Sequence, residues 1–559
     1  MRILPIIAAL LLFLPPAAHT QPAPKEERFT RADTLRGTLS PERTCYDVRW
    51  YHLDVLVDPD SQAIAGSTTI RFTVRGDCSR MQVDLFENMR VKAITLDGGS
   101  PLKFTREYNA IFVAVPPALQ TGSTHDLIVA FDGKPKVSLR PPWDGGFIWA
   151  KDDSGKPWVA VACQGTGASL WWPNKDHQSD EPDSALISVT VPPGLEDISN
   201  GRLRSVTLLP GRWTRYVWAV TYPINNYDMT INVGRFAHFD DTYAGAHPLT
   251  LDYYVLPNHR EQARKQFAQV KPMLACFEKD FGPYPFPRDG YKLVESPHLG
   301  MEHQSAVAYG NAFKQGYRGG SPSRYGVMFD FIIIHESAHE WWGNSVTAKD
   351  VADMWIHESF GAYAEGLFVE CQFGREAMVD YINAKRSGVG NRTPIIGVYN
   401  VQKEGSGDMY PKGALMLHTL RGALGNDSLW FAILRGIHET FKYTTVTTED
   451  VVAFVNRAAG ADYTPFFDQY LRHAAIPRLD VMISAKGPVT TARYRWKTDE
   501  EKFAIPVRVT TAPGKYSVIR PTSSWQTLEL GAMDPKEFQV DTQWSYIDTQ
   551  IRLIYQDPN

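Results

Sequence analysis

The sequence predicts a multidomain α+β protein with an N-terminal β domain, a mainly helical middle and a small C-terminal β domain. Three observations carry this. The chain has 559 residues, more than one hydrophobic core serves, so three or four domains are expected. Apolar and polar residues alternate in short runs over about 45–244 and again over 477–559, which is the period of strands. Between these regions the apolar spacing lengthens to that of helices.

The elements follow in order. Met1-Arg2, an apolar run from Ile3 to Leu14, Pro15-Pro16 and Ala18-His19-Thr20 form the pattern of a secretory signal over 1–20, cleaved near Thr20-Gln21. A membrane anchor is the alternative, but the run is short of the ~20 residues a span needs. No later segment is long and apolar enough to cross a membrane, so the mature chain is expected to be exported, periplasmic or secreted. Residues 21–44 are polar and read as a loose leader. Strand patterns include Tyr51–Val57, Ser67–Val74 and Ala185–Val191, and these predict antiparallel sheets in a sandwich or open saddle over 45–244.

The middle, 245–476, opens with helical spacing over 259–281, which the cluster Gly282-Pro283-Tyr284-Pro285-Phe286-Pro287 stops. Helices are expected near 325–343, 357–372 and across 410–475. Alternation returns with Leu479–Ser484 and Phe503–Val509, which places a second β domain over 477–559.

Composition excludes some functions. Hydrophobic residues are 43% and charged residues 21% of the chain, an ordinary globular balance, and no internal repeat marks a solenoid. A formal net charge of -4 supplies no basic surface for nucleic acid. The five cysteines, Cys45, Cys78, Cys163, Cys276 and Cys371, lack CxxC spacing, so a cysteine metal site is not expected. In an exported chain a disulfide is allowed, and Cys45–Cys78 is the pair expected, since both lie in the early β region.

The chemistry concentrates in His335-Glu336-Ser337-Ala338-His339. On a helix, positions i and i+4 share a face, so His335 and His339 can point at one ion while Glu336 reaches a water beside it. The apolar run Phe329–Ile334 argues that this helix is buried. Glu358 follows His339 by nineteen residues at the start of the next helix. A His-His-Glu set leaves a fourth position open, which distinguishes a catalytic zinc from a structural one. His357 is a rival ligand, with the poorer spacing.

These residues resemble the aminopeptidase N family of gluzincin metallopeptidases, which includes leukotriene hydrolase. His335–Thr347 (HESAHEWWGNSVT) resembles the family's extended zinc helix, and the eighteen residues before Glu358 match its spacing. Leu299-Gly300-Met301-Glu302-His303 sits where the family has Gly-x-Met-Glu-Asn, and Tyr410-Pro411-Lys412-Gly413 resembles its Tyr-x-Lys-Gly. Phe281–Pro287 and Asn226–Gly234 also echo family segments. The similarity is strong over 280–420 and weak in both β domains.

The resemblance implies a β-saddle, a thermolysin-like catalytic domain and a small β-sandwich, with one zinc ion per chain held by His335, His339 and Glu358. It implies Glu336 as general base and Tyr410 as donor to the oxyanion. It implies Glu302, with Gln164 in Cys163-Gln164-Gly165 as a second contact, binding the free α-amine of a peptide, and Gly300, Met301 and His303 meeting its main chain. Two residues depart from the pattern: His303 replaces the family asparagine, and Leu299 replaces the first glycine. The expected activity is a zinc aminopeptidase acting on peptides with a free N-terminus. Hydrolysis of an epoxide-like electrophile on the same metal and a peptide-binding pseudo-enzyme are the alternatives.

Overall fold

A computed structural model describes residues 28–116, 119–512 and 514–555. The expected signal sequence, 1–20, lies outside the described residues, as do 21–27 of the leader. The described part of the leader is not loose. It forms short helices Arg31–Gly37 and Pro41–Thr44, the first closed by a Thr30–Asp33 capping box. Composition concealed the reason, which is that its charges are paired against the β domain: Arg36 with Asp176 at 3.1 Å, and a wholly buried Arg43 with Asp84.

The first domain is built on a seven-stranded sheet. Its central strand, Tyr46–Asp58, buries Tyr51, Leu53, Val55 and Val57 on one face, as the alternation requires. The expectation of purely antiparallel pairing is corrected here. Tyr46–Asp58 runs antiparallel to Ala63–Val74 but parallel to Ser184–Val191, with Leu53 opposite Ile187. Parallel neighbours need a long crossover, and the segment between them supplies it while also contributing strands to a three- and a four-stranded sheet.

The middle domain begins with a five-stranded sheet in the order Ala237–Ala244, Pro248–Val255, Tyr291–Glu295, Val307–Tyr309, Gly300–Met301. The expected boundary at 244/245 therefore falls inside a hairpin, with Phe239 opposite Tyr253. Gly300–Met301 is the outer strand of this sheet. The helix expected near 325–343 is confined to Phe331–Ala338, because the Asp330 side chain caps it by accepting from Ile332 N. Its successor spans Trp355–Phe373. Four helices fill most of the stretch expected at 410–475: Pro411–Leu424, Asp427–Phe441, Thr448–Ala459 and Thr464–Leu471.

The C-terminal region packs a four-stranded against a three-stranded sheet. Its core residues, Leu479, Val481, Trp496 and Val509 among them, run continuously into the core of the helical domain, whereas the N-terminal sheet has a core of its own. Multidomain α+β architecture is thus what the chain adopts. Among the described residues no helix is long and apolar enough to cross a membrane.

The disulfide expectation is corrected. Cys276 and Cys371 are bonded, with Cα atoms 6.1 Å apart, and join helix Val270–Phe281 to helix Trp355–Phe373. Cys45 and Cys78 are buried free thiols, the Cys78 thiol donating to the Cys45 carbonyl, and Cys163 is buried and free. Pairing follows Cα proximity and side-chain direction, which a shared β region does not supply.

Candidate metal centre and active-site cleft

Helix Phe331–Ala338 presents His335 in its last turn, and His339 at the C-cap keeps helical φ/ψ of -66° and -17°, so the i, i+4 relation holds across the helix end. Glu358 lies in the first turn of helix Trp355–Phe373. The close approach of the two helices depends on Gly361, where a Cβ would stand 3.0 Å from His339 Cε1. His335 Nε2 and His339 Nε2 are 3.4 Å apart, and Glu358 Oε2 is 3.5 Å from the first and 3.4 Å from the second. That carboxylate oxygen is buried and has no hydrogen-bond partner.

The set fits a tetrahedral ion. Metal–ligand distances of about 2.0–2.1 Å put the ligand atoms about 3.3–3.4 Å from one another. The imidazoles are also held in the tautomer that a metal requires. His335 Nδ1 meets Glu365 Oε1 at 2.8 Å, and His339 Nδ1 meets the Trp342 carbonyl at 2.8 Å, which leaves both Nε2 atoms facing Glu358. Glu365 in turn accepts from Tyr381 and from Lys385 Nζ, the latter at 2.6 Å. Burial opposes the charge on Glu358, but His339 and His335 outweigh it and hold the carboxyl well below its usual range.

His357 is excluded as a ligand. It is buried facing the other way, with its Nε2 accepting from Ala348 N–H at 2.8 Å and Nδ1 3.3 Å from the Tyr227 hydroxyl. Burial lowers its pKa to about 3, so it is a neutral acceptor.

A cleft of about 300 Å³ opens over this triad. Gln164, Gly300, Met301, Glu302, Glu336 and Tyr410 line it, so one space collects all but one of the residues that sequence assigned to substrate and chemistry. Glu336 is packed against the outer strand, where a Cβ on Gly300 would stand 2.7 Å from its Oε1. Burial raises its carboxyl, and so favours a proton acceptor less acidic than a free glutamate. Glu302 is oriented by Tyr227, whose hydroxyl donates to Oε1 at 3.3 Å, and by Asn344 Nδ2, which donates to its carbonyl at 2.7 Å. Burial pushes the Glu302 carboxyl up to about 8, with Glu358 and Glu336 adding to this and His339 opposing it. Tyr410 stacks on His335 with ring centroids 6.0 Å apart.

His303 is the exception. It is wholly buried outside the cleft, with its ring 6.5 Å from that of His298 and neither nitrogen hydrogen-bonded. The strand ends at Met301, and in the irregular backbone after it the His303 side chain is buried in the protein rather than exposed to a ligand. Gln164 proves to be more than a cleft-lining amide, because its Nε2 donates to Glu358 Oε1 at 2.6 Å.

Sequence reasoning missed Glu365 and Glu404. The first carries a legible signal, since it follows Glu358 by seven residues on one helix and shares its face. Glu404 lines the cleft from the loop before Tyr410 and carries no motif; burial, then Glu358, raise its pKa to about 7.

Known proteins share parts of this sequence and its fold. Residues 266–470 match the peptidase family M1 domain. The chain is similar to the mitochondrial aminopeptidase 2 of Saccharomyces cerevisiae, at 22% identity over 66% of this chain and 40% of that protein. It is also similar to the tricorn protease-interacting factor F2 of Thermoplasma acidophilum, at 20% identity over 87% of this chain and 60% of that protein. The chain thus spans about half the length of the curated relatives it matches. Among solved structures it resembles a mutant M1 zinc metallopeptidase of Deinococcus radiodurans bound to a Tyr-Ser-Ala substrate. That match has a TM-score of 0.64 and 23% identity, and covers 78% of this chain and 96% of the other. Over residues 266–470, the segment that bears the His-His-Glu triad, the chain is thus similar to the M1 peptidases, the aminopeptidase N-type gluzincins.

Proposed function

We propose that the protein is a zinc aminopeptidase that removes N-terminal residues from peptides. The observation that carries this reading is one cleft holding both a metal-ready triad with an unpartnered Glu358 oxygen and a separate buried carboxylate, Glu302. The first supports hydrolysis. The second accepts the ammonium of a free N-terminus and fixes the distance from that end to the bond that is cut.

His335, His339 and Glu358 would hold the zinc, which when bound would supply Lewis-acid chemistry toward a water and a carbonyl. Glu336 takes the proton from the attacking water and returns it to the leaving amine. The Tyr410 hydroxyl donates to the oxygen on which negative charge develops. Glu302 and Gln164 hold the α-amine, and the outer strand Gly300–Met301 offers its backbone to the extended peptide, as an added strand. Export to an oxidising compartment is part of the proposal, and the Cys276–Cys371 disulfide supports it.

The test is turnover of aminoacyl chromogenic substrates, each with a free and an acetylated amine, before and after chelation. Cleavage of the free-amine forms alone, lost on chelation and restored by zinc, is expected. Equal cleavage of acetylated substrates would remove the exopeptidase reading and leave a zinc peptidase.

A further inference from the structure

Four carboxylates line the cleft, and the chemistry above uses three of them: Glu302, Glu336 and Glu358. Glu404 has no task. Among the described residues that line the cleft there is no lysine or arginine to neutralise it, and no described side chain forms an ion pair with it in the structure.

Its placement is built rather than incidental. The carboxylate packs onto the backbone of Gly165, whose φ is +66°; a Cβ there would stand 2.1 Å from Glu404 Oε1. Gly165 follows Gln164, which bonds Glu358, so Glu404 stands on the Gln164 side of the triad, within electrostatic reach of Glu358. The loop that carries it is pinned from several directions. Gln402 Nε2 donates to the Gly165 carbonyl at 3.1 Å, and the leader holds the same loop through Gln402 N to the Asp33 carbonyl at 3.2 Å and Thr38 Oγ1 to the Asn400 carbonyl at 3.0 Å.

We propose that Glu404 is a specificity-determining residue that receives a cationic side chain on the substrate's N-terminal residue, so that the enzyme prefers peptides beginning with arginine or lysine. This rests on the aminopeptidase reading. The first residue's Cα lies between its amine, held at Glu302 and Gln164, and the carbonyl presented to the metal, so its side chain starts next to the wall that Glu404 forms. A buried carboxylate facing a cleft that no lysine or arginine lines is completed by a guanidinium or ammonium and is left unpaired by a neutral side chain. Residues beyond the scissile bond leave past the aromatic mouth, where Trp143 and Tyr317 are 58% and 41% exposed.

The experiment compares L-arginine with L-citrulline, which has nearly the same shape and no charge. Affinities of both for the zinc-loaded protein are measured by calorimetry, alongside kcat/KM for arginyl and norleucyl coumarin amides. Wild type is expected to bind arginine about 10-fold or more tightly than citrulline. That ratio is expected to collapse toward one in Glu404→Gln and to persist in Glu404→Asp, each variant being checked for an unchanged melting temperature. The arginyl-to-norleucyl ratio in kcat/KM should fall in parallel. Equal affinities in wild type, failure of both ligands to bind, or an undiminished ratio in Glu404→Gln would overturn the proposal. Absence of turnover with an intact binding ratio would instead sink the aminopeptidase reading and leave the role of Glu404 standing.

Discussion

Gln164 Nε2 donates to Glu358 Oε1 at 2.6 Å, so an amide of the β domain fixes the carboxylate whose other oxygen faces the two imidazoles of the helical domain. The first domain is therefore part of the metal centre's support. In Gln164→Ala the carboxylate loses a charge-assisted donor and, on the proposed function, the substrate amine loses a contact. A rise in KM of about 10-fold is expected, with a smaller loss of zinc affinity. Steady-state kinetics and competitive zinc titration check this; an unchanged KM would detach Gln164 from the substrate.

Glu365 orients His335 from behind. Glu365→Gln keeps the shape but removes the charge that fixes the imidazole and that balances Lys385. Zinc affinity is expected to drop about 10–100-fold, and activity to recover on adding excess zinc. Metal-buffered titration distinguishes this from loss of folding, which excess zinc does not repair.

Tyr410→Phe removes the hydroxyl that the proposed mechanism aims at the developing negative charge and keeps the ring that stacks on His335. A fall in kcat of about 10²–10³ is expected, with KM and zinc content near those of wild type. A parallel loss of zinc would show Tyr410 to be part of the metal's support instead.

Asp197 makes a pH prediction away from the metal. It is wholly buried in the β domain, and burial lifts its pKa from 3.8 to about 8, against the Ser199 hydroxyl that donates to it at 2.9 Å. A folded pKa above the unfolded one means that the folded state holds the proton more tightly. Its contribution to stability is thus full below about pH 3.8 and is lost as pH rises toward 8. Asp197→Asn removes this dependence. Its melting temperature is expected to equal that of wild type near pH 4 and to exceed it by several degrees near pH 8, as scanning calorimetry would record.

The His335–His339–Glu358 cluster was legible because helical periodicity is a local rule, and two histidines four apart with a glutamate opening the next helix need no tertiary information. Glu365 obeyed the same rule, so its signal lay in the sequence unused. Gln164 and Glu404 reach the cleft from a distant domain and from a loop, where no period constrains direction. The Phe331–Ala338 helix was expected to be longer because an apolar run looks alike on either side of a cap. Asp330 ends it, and positive φ at Ala312, Phe313 and Arg318 marks the preceding backbone as loop. His303 was drawn into the substrate site by its motif, although the chain leaves the strand after Met301 and buries the side chain outside the cleft. The Cys45–Cys78 expectation failed because closeness along a β region does not fix the direction of two side chains.

The bond between Cys276 and Cys371 closes a covalent ring across a separation of 95 residues. Glu302, His335, Glu336, His339, Glu358 and Glu365 all lie within that ring, while Gln164, Glu404 and Tyr410 lie outside it. In an oxidised but unfolded chain the three residues that would hold the ion, His335, His339 and Glu358, therefore remain tethered at a raised effective concentration. Capture of the ion and its recapture after loss are thus partly intramolecular properties of one loop, whereas Gln164, Glu404 and Tyr410 must be supplied by the folded whole.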